Sequence, residues 1–97
     1  MPGLQEQQQL QYESADWHAD VEATLVYLRS VRDQGEVTHA YVPWIYVGGE
    51  RGEQELVRRG FHVQRVYARH RNMRVLSLRI KVQPWPSRDI VFHDLLE

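Results

Sequence analysis

The chain has 97 residues, 12 Lys+Arg against 13 Asp+Glu, a formal net charge of −1 and no cysteine. That is room for one domain of ordinary globular composition, and it excludes a disulfide framework, a thiolate metal site and a cysteine nucleophile. No apolar run approaches the roughly 18 residues of a membrane span, and the start MPGLQEQQQLQYES has neither the basic nor the apolar part of a secretory signal, so a cytoplasmic protein is expected.

Residues 1–12 hold five glutamines around a lone Leu4 and Leu10, and read as a flexible Gln-rich arm ahead of a single domain over 13–97. From Ser14 the pattern changes. Trp17, Val21, Thr24, Leu25, Leu28 and Val31 recur at spacings of three and four, one face of an α-helix. Ser14 or Asp16 can cap its first turn, Arg29 and Arg32 suit its last, and Gly35 supplies the left-handed residue that stops it.

Glu36–Val47 is rich in β-branched and aromatic residues and reads as a strand. Both alternating sets are partly apolar, which suggests cover on both faces. Pro43 cannot donate to a ladder and points to an edge position or a bulge. Gly48-Gly49 ends this strand, and Glu50–Arg59 reads as a short surface helix despite Gly52, with one turn docked through its thin apolar content, Leu56 and Val57, and closed by Gly60.

Phe61–His70 and Met73–Gln83 carry the clearest β signal. Leu76, Leu78, Ile80 and Val82 alternate with Ser77, Arg79, Lys81 and Gln83. Placing the apolar residues of both segments on one face pairs Phe61 with Val82, Val63 with Ile80 and Tyr67 with Leu76. That register leaves Arg71-Asn72 as a two-residue hairpin loop, with Asn72 suited to positive φ. It also puts Arg65 opposite Leu78 and Arg69 opposite Arg74, on the buried side. Either a bulge turns these arginines outward, or the core ends before the tip and they reach into water. Pro84-Trp85-Pro86 breaks the last strand. Ser87 can then cap a C-terminal helix over Arg88–Leu96, with a short strand at Ile90–His93 as the alternative.

The expected fold is therefore α+β in two layers. A three-stranded, mainly antiparallel sheet carries the N-terminal helix on one face, with short helices after strand 1 and at the C-terminus.

Enzyme chemistry finds little support. The five histidines show no HxxxH, HxH or HExxH spacing, and His18 with Glu22 reads better as a solvated helix face than as a metal pair. No Gly-x-Ser-x-Gly turn accompanies any serine. Gly48-Gly49-Glu50-Arg51-Gly52 lacks the Gly-Lys-Ser/Thr ending of a phosphate loop and carries glutamates where a phosphate would sit. No catalytic residue, metal or cofactor is expected.

Charge placement is more informative. Residues 1–57 carry ten acids and three bases, whereas 58–88 carry nine bases and no acid. Such separation fits an acidic layer over a basic sheet, or a basic surface offered to an anionic partner. Arg65, Arg69, Arg71, Arg74, Arg79 and Lys81, with Tyr67 and Met73, are the candidate binding residues of the hairpin. Arginine beside aromatic and apolar anchors, among them Tyr41, Trp44, Tyr46 and Trp85, is the composition of protein interfaces. The same cations could instead contact phosphates while Tyr67, His62 and His70 stack on bases. An edge strand also permits a homodimer.

The stretch from Val21 to Val82, with Gly35 before the first strand and ELVRRGFHV leading into the hairpin, resembles small α/β accessory proteins of phages and mobile elements. Leu56, Gly60 and Phe61 carry the resemblance, as a leucine helix closed by a glycine-aromatic pair that opens a hairpin. The resemblance implies a non-enzymatic protein that binds and modulates a host macromolecule through protein–protein contact, as an inhibitor does. Nucleic-acid binding through the basic hairpin 61–83 is the alternative.

Overall fold

The computed structural model describes residues 15–88. Helix α1 spans Trp17–Gln34, strand β1 His39–Pro43, a 3-10 helix Trp44–Val47, helix α2 Gly49–Arg58, strand β2 Val63–His70 and strand β3 Met73–Lys81. All pairing is antiparallel, and the strand order β1-β3-β2 puts β3 in the centre. The α+β architecture expected from the sequence is the one observed. The proposed C-terminal helix or strand falls, beyond Arg88, outside the described residues.

Helix α1 follows from its apolar period. Val21, Leu25, Leu28 and Val31 are buried, each fully buried aliphatic side chain contributing about 1.5–3 kcal/mol. The Asp16 carboxylate accepts a hydrogen bond from the Ala19 amide at 3.4 Å and caps the first turn. Gly35 closes the last at φ 72°. Thr24 is buried in the same stripe because its hydroxyl donates to the Asp20 carbonyl at 2.8 Å, which satisfies it inside the helix.

Strand β1 is shorter than the sequence suggests. It stops at Pro43, and the aromatic run that follows winds into the 3-10 helix, burying Trp44 and Val47 while Ile45 and Tyr46 stay exposed. Cover on both faces is not found either: Ala40 and Val42 are buried, Tyr41 is exposed. Proline sits on an edge strand as expected. The Val82 amide bonds the Thr38 carbonyl, so alternation turns the backbone of His39, Tyr41 and Pro43 toward the free edge, where Pro43 costs no ladder bond.

Helix α2 docks through Leu56, which is fully buried, and leaves Val57 exposed. Gly52 is a necessity rather than a flaw. A Cβ there would lie 1.6 Å from the Val47 carbonyl oxygen. The helix ends in a Schellman motif: the Phe61 amide reaches back to the Leu56 carbonyl, the Gly60 amide to that of Val57, and Gly60 adopts φ 98°. Leu56 and Phe61 then share one core with Leu78, Ile80 and Val82.

The β2–β3 register is the expected one, including Val63↔Ile80, Tyr67↔Leu76, Arg65↔Leu78 and Arg69↔Arg74. Phe61 stops short of the ladder. No bulge interrupts it, and the second alternative holds for Arg69: the core ends near Leu76 and the tip runs on into solvent. Arg65 follows neither alternative, because Glu53 of α2 meets it on the helix side. Arg71 and Asn72 both take positive φ, 52° and 65°, the pattern of a type I′ turn. No helix among the described residues is long and apolar enough to cross a membrane.

Candidate functional site

Strand alternation divides the hairpin between two faces. The helix-facing side carries Ala40 and Val42 of β1, Leu76, Leu78 and Ile80 of β3, and Val63, Arg65, Tyr67 and Arg69 of β2. The opposite face has no helix among the described residues packed on it. Cross-strand rows follow from the pairing. His39 and Lys81 lie next to His62; then come Tyr41, Arg79 and Gln64; then Pro43, Ser77 and Val66; then Val75 with Ala68 and Met73 with His70.

The candidate residues are thus not one cluster. Arg65 lies on the helix side, where its guanidinium pairs with Glu53 at 2.8 Å and sits 5.4 Å from the centre of the Trp44 ring. It is spent on the fold. Arg69, Arg71 and Arg74 gather at the tip, and Arg74 lies 5.1 Å over the ring of Tyr67. Arg79, Lys81 and Met73 belong to the open face. Five β-strand steps of about 3.3 Å separate Arg74 from Arg79, roughly 17 Å along β3. Of the other aromatic anchors, Trp44 is buried and donates from Nε1 to Glu53 at 2.8 Å. Trp85 is half-buried, edge-on to Phe61 with Arg32 over its ring at 4.6 Å. Tyr41 and Tyr46 remain exposed.

The open face carries cations without acids, whereas on the helix side acids and arginines meet in pairs. None of β1, β2 and β3 contains an acid. Arg69, Arg71, Arg74, Arg79 and Lys81 have no carboxylate within ion-pair distance among the described residues. Arg79 instead reaches the Gln64 side-chain oxygen at 3.5 Å. The imidazole of His39 is held below its ordinary value of 6.5, by desolvation and then by the Arg79 and Lys81 charges. It is therefore mainly neutral at pH 7. On the helix side, Glu55 is gripped by Arg58 at 2.6 Å and Arg59 at 2.9 Å, and Arg59 also reaches Glu22 at 3.5 Å.

Two of the clefts among the described residues bear on chemistry or binding. One of about 270 Å³ lies between α1 and α2, lined by Trp17, His18, Glu22, Glu55, Arg58 and Arg59. Its carboxylates are occupied: the hydrogen bond from Arg58, supported by Arg59, holds Glu55 below the ordinary 4.5 against opposing desolvation. Such a group is a poor proton acceptor. Among the described residues no three His, Asp or Glu side chains converge as metal ligands.

The second cleft, about 370 Å³, follows the free edge of β1. Ala23, Thr24 and Tyr27 of α1 form one wall, Tyr41–Pro43 the floor, and Tyr46 and His70 the end. His70 reaches it by folding back across β3, where its Nε2 is 3.3 Å from the Ser77 hydroxyl. That contact and a bond from Ser77 to the Val75 carbonyl let Ser77 be fully buried on the otherwise open face. Tyr27 was not among the sequence candidates, because it lies outside the apolar stripe of α1; its exposure beside Tyr41 and Tyr46 comes from where the helix docks.

No protein-family model, curated protein or solved structure matches the chain.

Proposed function

We propose that this protein acts by binding, and that its docking surface is the open face of the sheet. The observation that supports this most directly is the acid-free composition of that face, with Arg79 and Lys81 at one end and Val66, Ala68, Val75 and Met73 at the other. Cations beside apolar side chains suit a protein partner whose surface is apolar at its centre and acidic on one flank. Arg79 and Lys81, with no acid beside them on that face, would draw an acidic flank toward it. A phage-type accessory protein that modulates a host macromolecule would act in this way.

The second reading, single-stranded nucleic acid, is favoured by one feature. The rings of His39, Tyr41 and His62 surround Arg79 and Lys81, so that bases and phosphates could be met side by side.

The test compares wild-type protein with an Arg79→Glu/Lys81→Glu variant and an Arg58→Glu variant on the helix side, each checked for a cooperative melt. Partner capture lost only in the sheet variant supports the reading. Equal capture by all three overturns it. An anisotropy titration with mixed-sequence oligonucleotides at several salt concentrations separates the alternatives, since phosphate contacts give binding that falls steeply with salt.

A further inference from the structure

Strand β2 is the second edge of the sheet, and it is unprotected in a way that β1 is not. The Lys81 amide bonds the His62 carbonyl, so alternation directs the backbone groups of Val63, Arg65, Tyr67 and Arg69 away from β3. Among the described residues nothing bonds these amides and carbonyls. The strand has no proline and no bulge, whereas the β1 edge is short and ends in Pro43.

We infer that β2 pairs antiparallel with β2 of a second copy, joining two three-stranded sheets into one of six strands. Ladder bonds can form only between outward-directed residues, which limits the registers. The one with greatest overlap places Val63 opposite Arg69 of the other copy and Arg65 opposite Tyr67. Val66 then faces Val66 across the two-fold axis. Shifting by two residues in either direction sets Arg65 against itself or against Arg69, a like-charge pair that destabilises a ladder. Shifting further halves the overlap. The longest register is therefore also the one free of arginine–arginine pairs.

Shape agrees with it. Helix α2 stands over the start of β2, where Glu53 pairs with Arg65, and the tip beyond Tyr67 is exposed. Antiparallel pairing lays the bare tip of one copy beside the helix-covered end of the other. The two-fold axis is perpendicular to the sheet, so both open faces point the same way and any docking surface there is doubled. The dimer does not depend on the binding role proposed above.

The chain has no cysteine, which makes crosslinking a direct test. Residue 66 would lie in a non-hydrogen-bonded pair, with Cα atoms about 4.5 Å apart, within the range of a disulfide. Wild-type protein should sediment as a dimer over a micromolar to near-millimolar range. With oxidised glutathione, Val66→Cys should form a disulfide-linked dimer. Ala68→Cys alone should not, because its neighbour across the axis is Gln64, and the Gln64→Cys/Ala68→Cys pair should. A wild-type monomer at every concentration overturns the inference. So does a dimer in which the Val66→Cys variant crosslinks no better than the Ala68→Cys variant, or in which only a Tyr41→Cys variant, on the other edge, crosslinks.

Discussion

The Arg65 guanidinium rests 2.8 Å from the Glu53 carboxylate, and together they cover the ring of buried Trp44. Glu53 bridges three elements, since it also accepts the Trp44 Nε1 hydrogen bond at 2.8 Å. An arginine directed toward the helix layer of a sheet thus becomes a lid over the aromatic core. Its stem packs, and its charge is met by α2.

Removing Glu53 should therefore cost more than removing Arg65. Glu53→Ala leaves the indole N–H without its acceptor and the guanidinium without its partner, for a loss of about 1–2 kcal/mol. Arg65→Met keeps the apolar cover over Trp44 and should stay within about 1 kcal/mol of wild type, as partly exposed ion pairs contribute little. Urea midpoints at constant slope measure both. Equal losses would mean that the ion pair, and not the indole bond, dominates.

The elements that could be read from sequence are those with a strict repeat. Val21, Leu25, Leu28 and Val31 define one helical face, and Gly35 its end. The hairpin register was legible because a one-residue slip would have turned Leu76, Leu78 and Ile80 into water. The end of β1 was not, since Trp44–Val47 has the composition of a strand and winds only because Trp44 finds a core pocket and an acceptor on α2. Nor was the division of the basic residues. Whether Arg65 is a ligand for a partner or a lid on Trp44 depends on where α2 docks, and no local pattern contains that. Gly52 looked like a weakness in α2 for the same reason: the carbonyl it accommodates belongs to the preceding 3-10 helix.

Acid should loosen the α1–α2 junction. Glu55 has a folded-state pKa below its ordinary 4.5, held there first by the hydrogen bond from Arg58. A depressed carboxylate contributes stability that is complete above the unfolded value and is lost as pH falls through the folded one. Melting temperature should therefore drop as pH is lowered below about 4.5. In Glu55→Gln the protein should be less stable at neutral pH and its acid slope shallower. An unchanged slope would assign the acid sensitivity to other carboxylates.

The hairpin tip separates stability from charge. Arg71 occupies the left-handed region at φ 52°, and Asn72 at φ 65°. For a residue with a long side chain this costs on the order of 1 kcal/mol, whereas asparagine followed by glycine fits a type I′ turn with little strain. Arg71→Asn/Asn72→Gly should then stabilise the fold by about 0.5–1 kcal/mol. It also removes one of three tip arginines that lack an acidic partner among the described residues. If Arg71 makes a contact with a second copy, the same change should raise the melting temperature at low concentration and weaken the dimer in sedimentation. Opposite signs in one variant would show that Arg71 is kept for what it meets outside its own chain, at the expense of the turn it makes.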